Sequence, residues 1–168
     1  MDITELIKTF VILVAVIDPI GNIPVYILLT AQKTDAEHKS IALKTSCTAV
    51  LLLAASFLLG KHIIGFFGIE MSAFKLIGGI FLLYISFTML SNTKSSYLFS
   101  EENEDISLMP LTFPLFIGPA AISIVIIQSD EISNWTGKII SLSEFALIGV
   151  LIWLTLRLSK LILNNLSK

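Results

Sequence analysis

The chain has 168 residues, 55% hydrophobic and only 14% charged, with a mean hydropathy of +0.88; a soluble domain carries about a quarter charged residues. A formal net charge of −2 gives no basic field for nucleic acid, and the single cysteine, Cys47, leaves no internal disulfide and no cysteine metal cluster. The apolar residues come in long blocks rather than at amphipathic or alternating spacing, which predicts an all-α, polytopic transmembrane protein and not a β-barrel.

The N-terminus does not read as a signal peptide. Asp2 and Glu5 stand where a basic segment belongs, and no small-residue cleavage site follows the apolar run. Span one covers residues 3–29, longer than the ~20 residues a crossing needs. Its middle reads Asp18-Pro19-Ile20-Gly21-Asn22-Ile23-Pro24. Pro19 and Pro24 lack a backbone donor and clash with the carbonyl one turn back. Gly21 opens backbone angles closed to other residues. Asp18 places a charge near mid-span, which is costly in a bilayer. Together these predict a helix broken over 18–24 that lines a polar site. The loop 30–40 carries Lys33, Asp35, Glu37, His38 and Lys39. Asp35 is the candidate cap of the next helix, and His38 is expected to be solvated.

Span two covers residues 41–59, with Thr45, Ser46 and Thr48 near its start and Lys61 and His62 expected at its exit. Membrane hydroxyls usually bond their own helix or a neighbour. Span three covers 69–90. Lys75 lies one turn inside and can snorkel, and Gly78-Gly79 admits a close neighbouring helix. Residues 91–107 form the longest polar loop, and their acidic run lacks the glycine turn and spaced ligands of a calcium site. Span four covers 106–128. It contains Pro110, Pro114, Gly118 and Pro119 and cannot be straight throughout. The loop 129–137 holds Trp135, expected as an interfacial anchor. Span five covers 138–163, with Glu144 and Arg157 read as topology anchors at its two ends.

Lys33, Lys39, Lys44, Lys94, Arg157, Lys160 and Lys168 fall on one side; Lys8, Lys61, Lys75 and Lys138 fall on the other. That bias places the linker 93–107 in the cytoplasm and the N-terminus outside.

Spans one and four are both interrupted, at Ile20-Gly21-Asn22-Ile23-Pro24 and at Ile117-Gly118-Pro119. Three spans separate one interruption from the next, so the second unit enters from the opposite side. This is the pattern of an inverted repeat, and paired broken helices point to a transporter site. The expected organisation is a first repeat of three helices over 1–92, a linker over 93–107, and a second repeat of two helices over 108–168. Unwound backbone at membrane depth persists only where it is buried or lines a polar cavity.

Asp18-Pro19-Ile20-Gly21-Asn22-Ile23-Pro24 and Phe113-Pro114-Leu115-Phe116-Ile117-Gly118-Pro119-Ala120-Ala121-Ile122 resemble the two signatures of the MarC family of bacterial inner-membrane proteins. Phe74-Lys75-Leu76-Ile77-Gly78-Gly79 resembles the family's third helix. The resemblance covers essentially the whole chain. It implies six helices, both termini outside, a grouping with LysE-type exporters, and small neutral amino acids as substrates of some relatives. Two departures stand out. Ala120 replaces the glycine of the usual Gly-Pro-Gly, and only about five spans are legible, so the last helix of the second repeat is missing from this reading.

The functional expectation is a multi-pass inner-membrane secondary transporter or exporter of a small solute, coupled to H+ or Na+. Asp18 is the coupling-proton group, cation ligand or ammonium partner, and Asn22 adds an amide. Backbone around Gly21 and Gly118 meets the substrate's charged ends, with Ser123 and Thr112 as further hydroxyls. Pro19, Pro24, Pro114 and Pro119 hold the breaks open. No cofactor or metal is expected, and a homo-oligomer is a candidate assembly beside the lipid bilayer. The competing expectation is a non-transporting structural or assembly protein. An intramembrane enzyme finds no metal cluster, nucleophile elbow or acid pair to support it.

Overall fold

Helix α1, Ile3–Ile17, ends where the sequence meets Asp18-Pro19, and helix α2 resumes at Ile23–Thr30. The computed structural model describes residues 3–90 and 106–166. The chain leaves helix over residues 18–22. Pro24 therefore falls not in the break but in the first turn of α2, where a missing N–H costs nothing.

Helix α3, Asp35–Phe66, and helix α6, Trp135–Leu166, are the two long elements, each of 32 residues. Each is ~48 Å long at the usual helical rise. They pack antiparallel: Phe57 meets Phe145 edge to face at 5.5 Å, while Gly149 lies against Val50 and the Ser46 carbonyl. Helix α4 spans Met71–Leu90. Residues Ser107–Phe116 form a π-helix, here π1, and helix α5 spans Pro119–Glu131. The wide turn of π1 is visible in its bonds, Leu111 N to Ile106 O at 3.3 Å and Ile117 N to Thr112 O at 2.8 Å, each five residues back. Pro110 and Pro114 cannot donate, which removes two of the bonds an α-helix would need here.

Helix α3 is the hub, packing against α6, α5 and π1; α4 rests on α5, α1 on α5 and α6, and α2 on α6. One core joins Leu13 and Ile17 of α1, Tyr26 of α2, Leu53 of α3, Val125 of α5 and Ile152 of α6. Outside it, large apolar side chains face outward on every long element, Leu51, Phe66, Leu76 and Leu147 among them. Apolar surface on this scale fits a lipid environment rather than water. Helix α3 and residues Trp135–Ser159 of α6 are long and apolar enough to cross a membrane.

Several expectations change. Helix α3 runs to Phe66, so Lys61 and His62 lie within its last turns rather than beyond its exit. Its N-cap is Thr34, not Asp35: the Thr34 hydroxyl accepts from Glu37 N at 3.4 Å, and Thr34 N donates to Glu37 Oε2 at 2.7 Å. This reciprocal pair satisfies two end groups at once. His38 is half-buried against Tyr26, with 3.3 Å between the Tyr26 hydroxyl and His38 Nδ1. Helix α5 runs to Glu131 and α6 starts at Trp135, which shortens the expected loop 129–137 to residues 132–134. Ser107, expected at the end of the linker, is buried in the first turn of π1; residues 93–105 of that linker lie outside the described residues.

Candidate functional site

The first break is held by its own side chains. Asp18 adopts a left-handed backbone, φ 42°, a conformation that Asp and Asn tolerate better than other non-glycine residues. Its Oδ1 accepts from Gly21 N at 3.0 Å, and its carbonyl accepts from Asn22 N at 3.2 Å. The Asn22 amide donates back to Ile17 O at 2.9 Å, satisfying a carbonyl at the end of α1. A Cβ on Gly21 would collide with the Asp18 carboxylate, so a side chain there displaces the carboxylate from its bond to residue 21. Pro19 is buried, whereas Asp18, Ile20 and Gly21 are exposed. The side-chain bonds of Asp18 and Asn22 stay within their own break, and among the described residues no donor reaches Asp18 Oδ2.

The second break is backbone-built. Ile117 is buried, Gly118 is extended at the N-cap of α5, and Pro119 opens the helix without any side-chain cap. The first-turn N–H groups of such a helix lack intrahelical acceptors and carry the positive end of its dipole. A Cβ on Gly118 would stand 3.0 Å from the Pro114 carbonyl, so a larger residue is accommodated only if the end of π1 shifts by a few tenths of an ångström. Ala120, the departure from the expected glycine, is buried in the first turn of α5. Pro114 lies within π1, preceded by a cis peptide bond.

Ile17, just before the first break, and Ile117, just before the second, are both fully buried in the one core. The hydroxyl candidates lie elsewhere. Thr112 is fully buried and donates to Ser107 O at 2.5 Å, with Thr45 O at 3.4 Å; Thr45 in turn donates to Ser107 O at 3.3 Å. This cluster ties π1 to α3. Ser123 faces Gly78 of α4, where a Cβ would lie 3.3 Å from the serine Cβ. Of the glycine pair expected to admit a neighbour, Gly78 does so and Gly79 faces open space. Lys75 reaches Glu131 at 3.2 Å, pairing α4 with the end of α5.

Sequence reasoning missed one group. Glu144, read as a topology anchor, is 5% exposed and accepts from Gln128 Nε2 at 3.1 Å. Its burial depends on the face that α6 turns to α5, which a linear reading of an apolar span does not give. Among the described residues no group of three or more His, Cys, Asp or Glu could hold a metal ion.

A family model described as MarC family integral membrane protein matches residues 3–168. A UPF0056 membrane protein of Buchnera aphidicola subsp. Schizaphis graminum is 34% identical over 170 residues, covering 99% of this chain and 81% of the relative. UPF0056 membrane protein MJ1677 of Methanocaldococcus jannaschii is 32% identical, covering 100% and 85% respectively. UPF0056 membrane protein YvbG of Bacillus subtilis is 36% identical over 129 residues, covering 71% and 61%. No solved structure matches.

Proposed function

Since the chain belongs to the MarC family of integral membrane proteins, we propose that it is a secondary transporter of a small solute, with the paired breaks as its binding site. The observation that carries this reading is the first break: an exposed acid on unwound backbone between two apolar helices. An intramembrane acid is functional by default, and non-helical backbone at that depth needs a polar lining.

The two breaks differ in chemistry. The first presents Asp18 Oδ2, suited to an ammonium or cation; the second presents the uncapped start of α5, suited to a carboxylate. A small neutral amino acid carries both charges. The element order supports an inverted repeat: α1, α2 and α3 correspond to π1, α5 and α6. The central helices of the two units match in length, and α2 packs on α6 as α5 packs on α3. One unit rocking against the other about the α3–α6 contact would open the site to each side in turn. In this reading the N-terminus is outside and the loop before α3 is cytoplasmic.

The test is counterflow of radiolabelled alanine or glycine in proteoliposomes with the parent chain, Asp18→Asn and Gly118→Leu. Flux in the parent and loss in both variants is the expected outcome; equal flux in all three removes the site assignment. A second reading is favoured by the Asp18–Gly21 bond, which lets the acid serve as a turn former in a non-transporting membrane protein. Folded protein without flux across a broad solute panel selects that reading.

A further inference from the structure

Gln128 and Ser141 surround Glu144 with little that an ionised carboxylate can use. All three side chains are buried, at 3%, 0% and 5% exposure. Gln128 has two amide hydrogens, and both are committed: one to Glu144 Oε2 at 3.1 Å, one to Ser141 Oγ at 3.3 Å. Glu144 Oε1 and Gln128 Oε1 are buried with no hydrogen-bond partner. The cluster thus has more acceptors than donors. It also lacks a countercharge. Ion pairs join Lys33 to Glu37 and Lys75 to Glu131, not Glu144. On this end of α6 and the elements packed against it, the charged or titratable groups are Lys138 of α6, Glu5 and Lys8 of α1, Lys61 and His62 of α3, and Asp130 and Glu131 of α5; no ion pair among the described residues joins one of them to Glu144. A buried carboxylate with one donor and no cation is strongly disfavoured.

We propose that Glu144 is a buried proton-binding site on α6, positioned by Gln128 and Ser141, and that the proton it carries is the coupling ion of the transporter. The second clause rests on the transport reading; the first does not. The proton adds to the carboxylate to give the neutral acid, and no other bond breaks. It supplies the donor that the cluster lacks. Because both oxygens without partners are shut off from the surface, exchange with water requires the packing around Glu144 to open; the adjacent Phe145 meets Phe57 of α3, in the α3–α6 contact about which the two units would rock. The site is separate from Asp18, which is exposed on the first break.

The test is infrared spectroscopy of the full chain in liposomes as pH is stepped, in H2O and D2O, with Glu144→Gln and Asp18→Asn alongside. The expected result is a protonated-carboxyl band at neutral pH that shifts in D2O and disappears reversibly in alkali. It is absent from Glu144→Gln and retained in Asp18→Asn. A band unaffected by Glu144→Gln, or none at neutral pH, overturns the site. Should Glu144→Gln fail to fold, Glu144→Asp keeps the acid and must move the band; an unmoved band overturns the site equally. A second arm measures alanine accumulation driven by a pH gradient. Glu144→Gln is expected to lose about tenfold, within the range of ordinary coupling energies, while keeping counterflow. Accumulation that persists in a variant lacking the band overturns the coupling role. A parent chain with the band but no flux of any solute leaves the proton site standing and removes the transport reading.

Discussion

Asp18 has two separable jobs, one in its backbone and one in its charge. Its left-handed φ and its bond to Gly21 N shape the turn, and an asparagine can supply both. Asp18→Asn is therefore expected to melt within about 0.5 kcal/mol of the parent in detergent. Asp18→Ala should lose about 1–3 kcal/mol, from the missing bond and from an alanine forced into the left-handed region. Thermal unfolding of the two variants checks this; an Asn variant as unstable as the Ala variant would mean the charge itself holds the turn. Gly21→Ala breaks the same bond from the other side, so the double variant with Asp18→Ala should be little worse than Asp18→Ala alone. At the start of α3, the Thr34 N–H and hydroxyl hold the Glu37 carboxylate below the usual range. Its folded value is depressed, so its contribution is fully present above the unfolded value and lost as pH falls through the folded one. Glu37→Gln should accordingly flatten the acid limb of a melting-temperature profile.

Beyond the shared apolar core, a few specific contacts join the elements. Thr45, Thr112 and Ser107 O, all buried, fasten π1 to α3. Replacing a buried hydroxyl by a methyl of similar shape costs roughly 1–2 kcal/mol where it strands a carbonyl. Thr45→Val and Thr112→Val each remove one donor to Ser107 O, and because the two hydroxyls share that acceptor the double variant should depart from the sum of the singles. Unfolding of the four-member cycle reads this directly, and strict additivity would mean the two hydroxyls act independently. The α3–α6 contact depends on Gly149, where a Cβ would collide with Val50. Gly149→Ala should cost about 1–3 kcal/mol by overpacking, and Val50→Ala should recover part of it. The contacts here that cross between elements join residues more than sixty positions apart, and no local pattern announces them.

At the scale of the whole molecule, the antiparallel α3–α6 pair fixes which loops share a side. The loop before α3 and the loop before α6 lie at opposite ends of that pair. Cys47 is the single cysteine of the chain, so Cys47→Ser gives a cysteine-free background. Lys33→Cys and Asn134→Cys introduced into it should react with a membrane-impermeant maleimide from opposite sides of sealed vesicles, residue 33 from the cytoplasmic face. Labelling of both from one side would overturn the proposed topology.

The sequence by itself determined that the chain is helical and membrane-embedded and that its first helix is interrupted near Asp18, because hydropathy and proline and glycine chemistry are local. Helix ends were less legible: α3 and α6 each run past the predicted spans, since a membrane helix continues into polar residues when its caps and neighbours allow. The role of Thr34 over Asp35 turned on which backbone angle each adopts. Only the tertiary structure decided that Thr112 and Ser123 serve contacts with α3 and α4, that Asp18 and Asn22 bond within their own turn, and that Glu144 faces α5 instead of an interface. A side chain's partners depend on which helix faces meet, and that is set by packing across the bundle rather than by the order of residues along one helix.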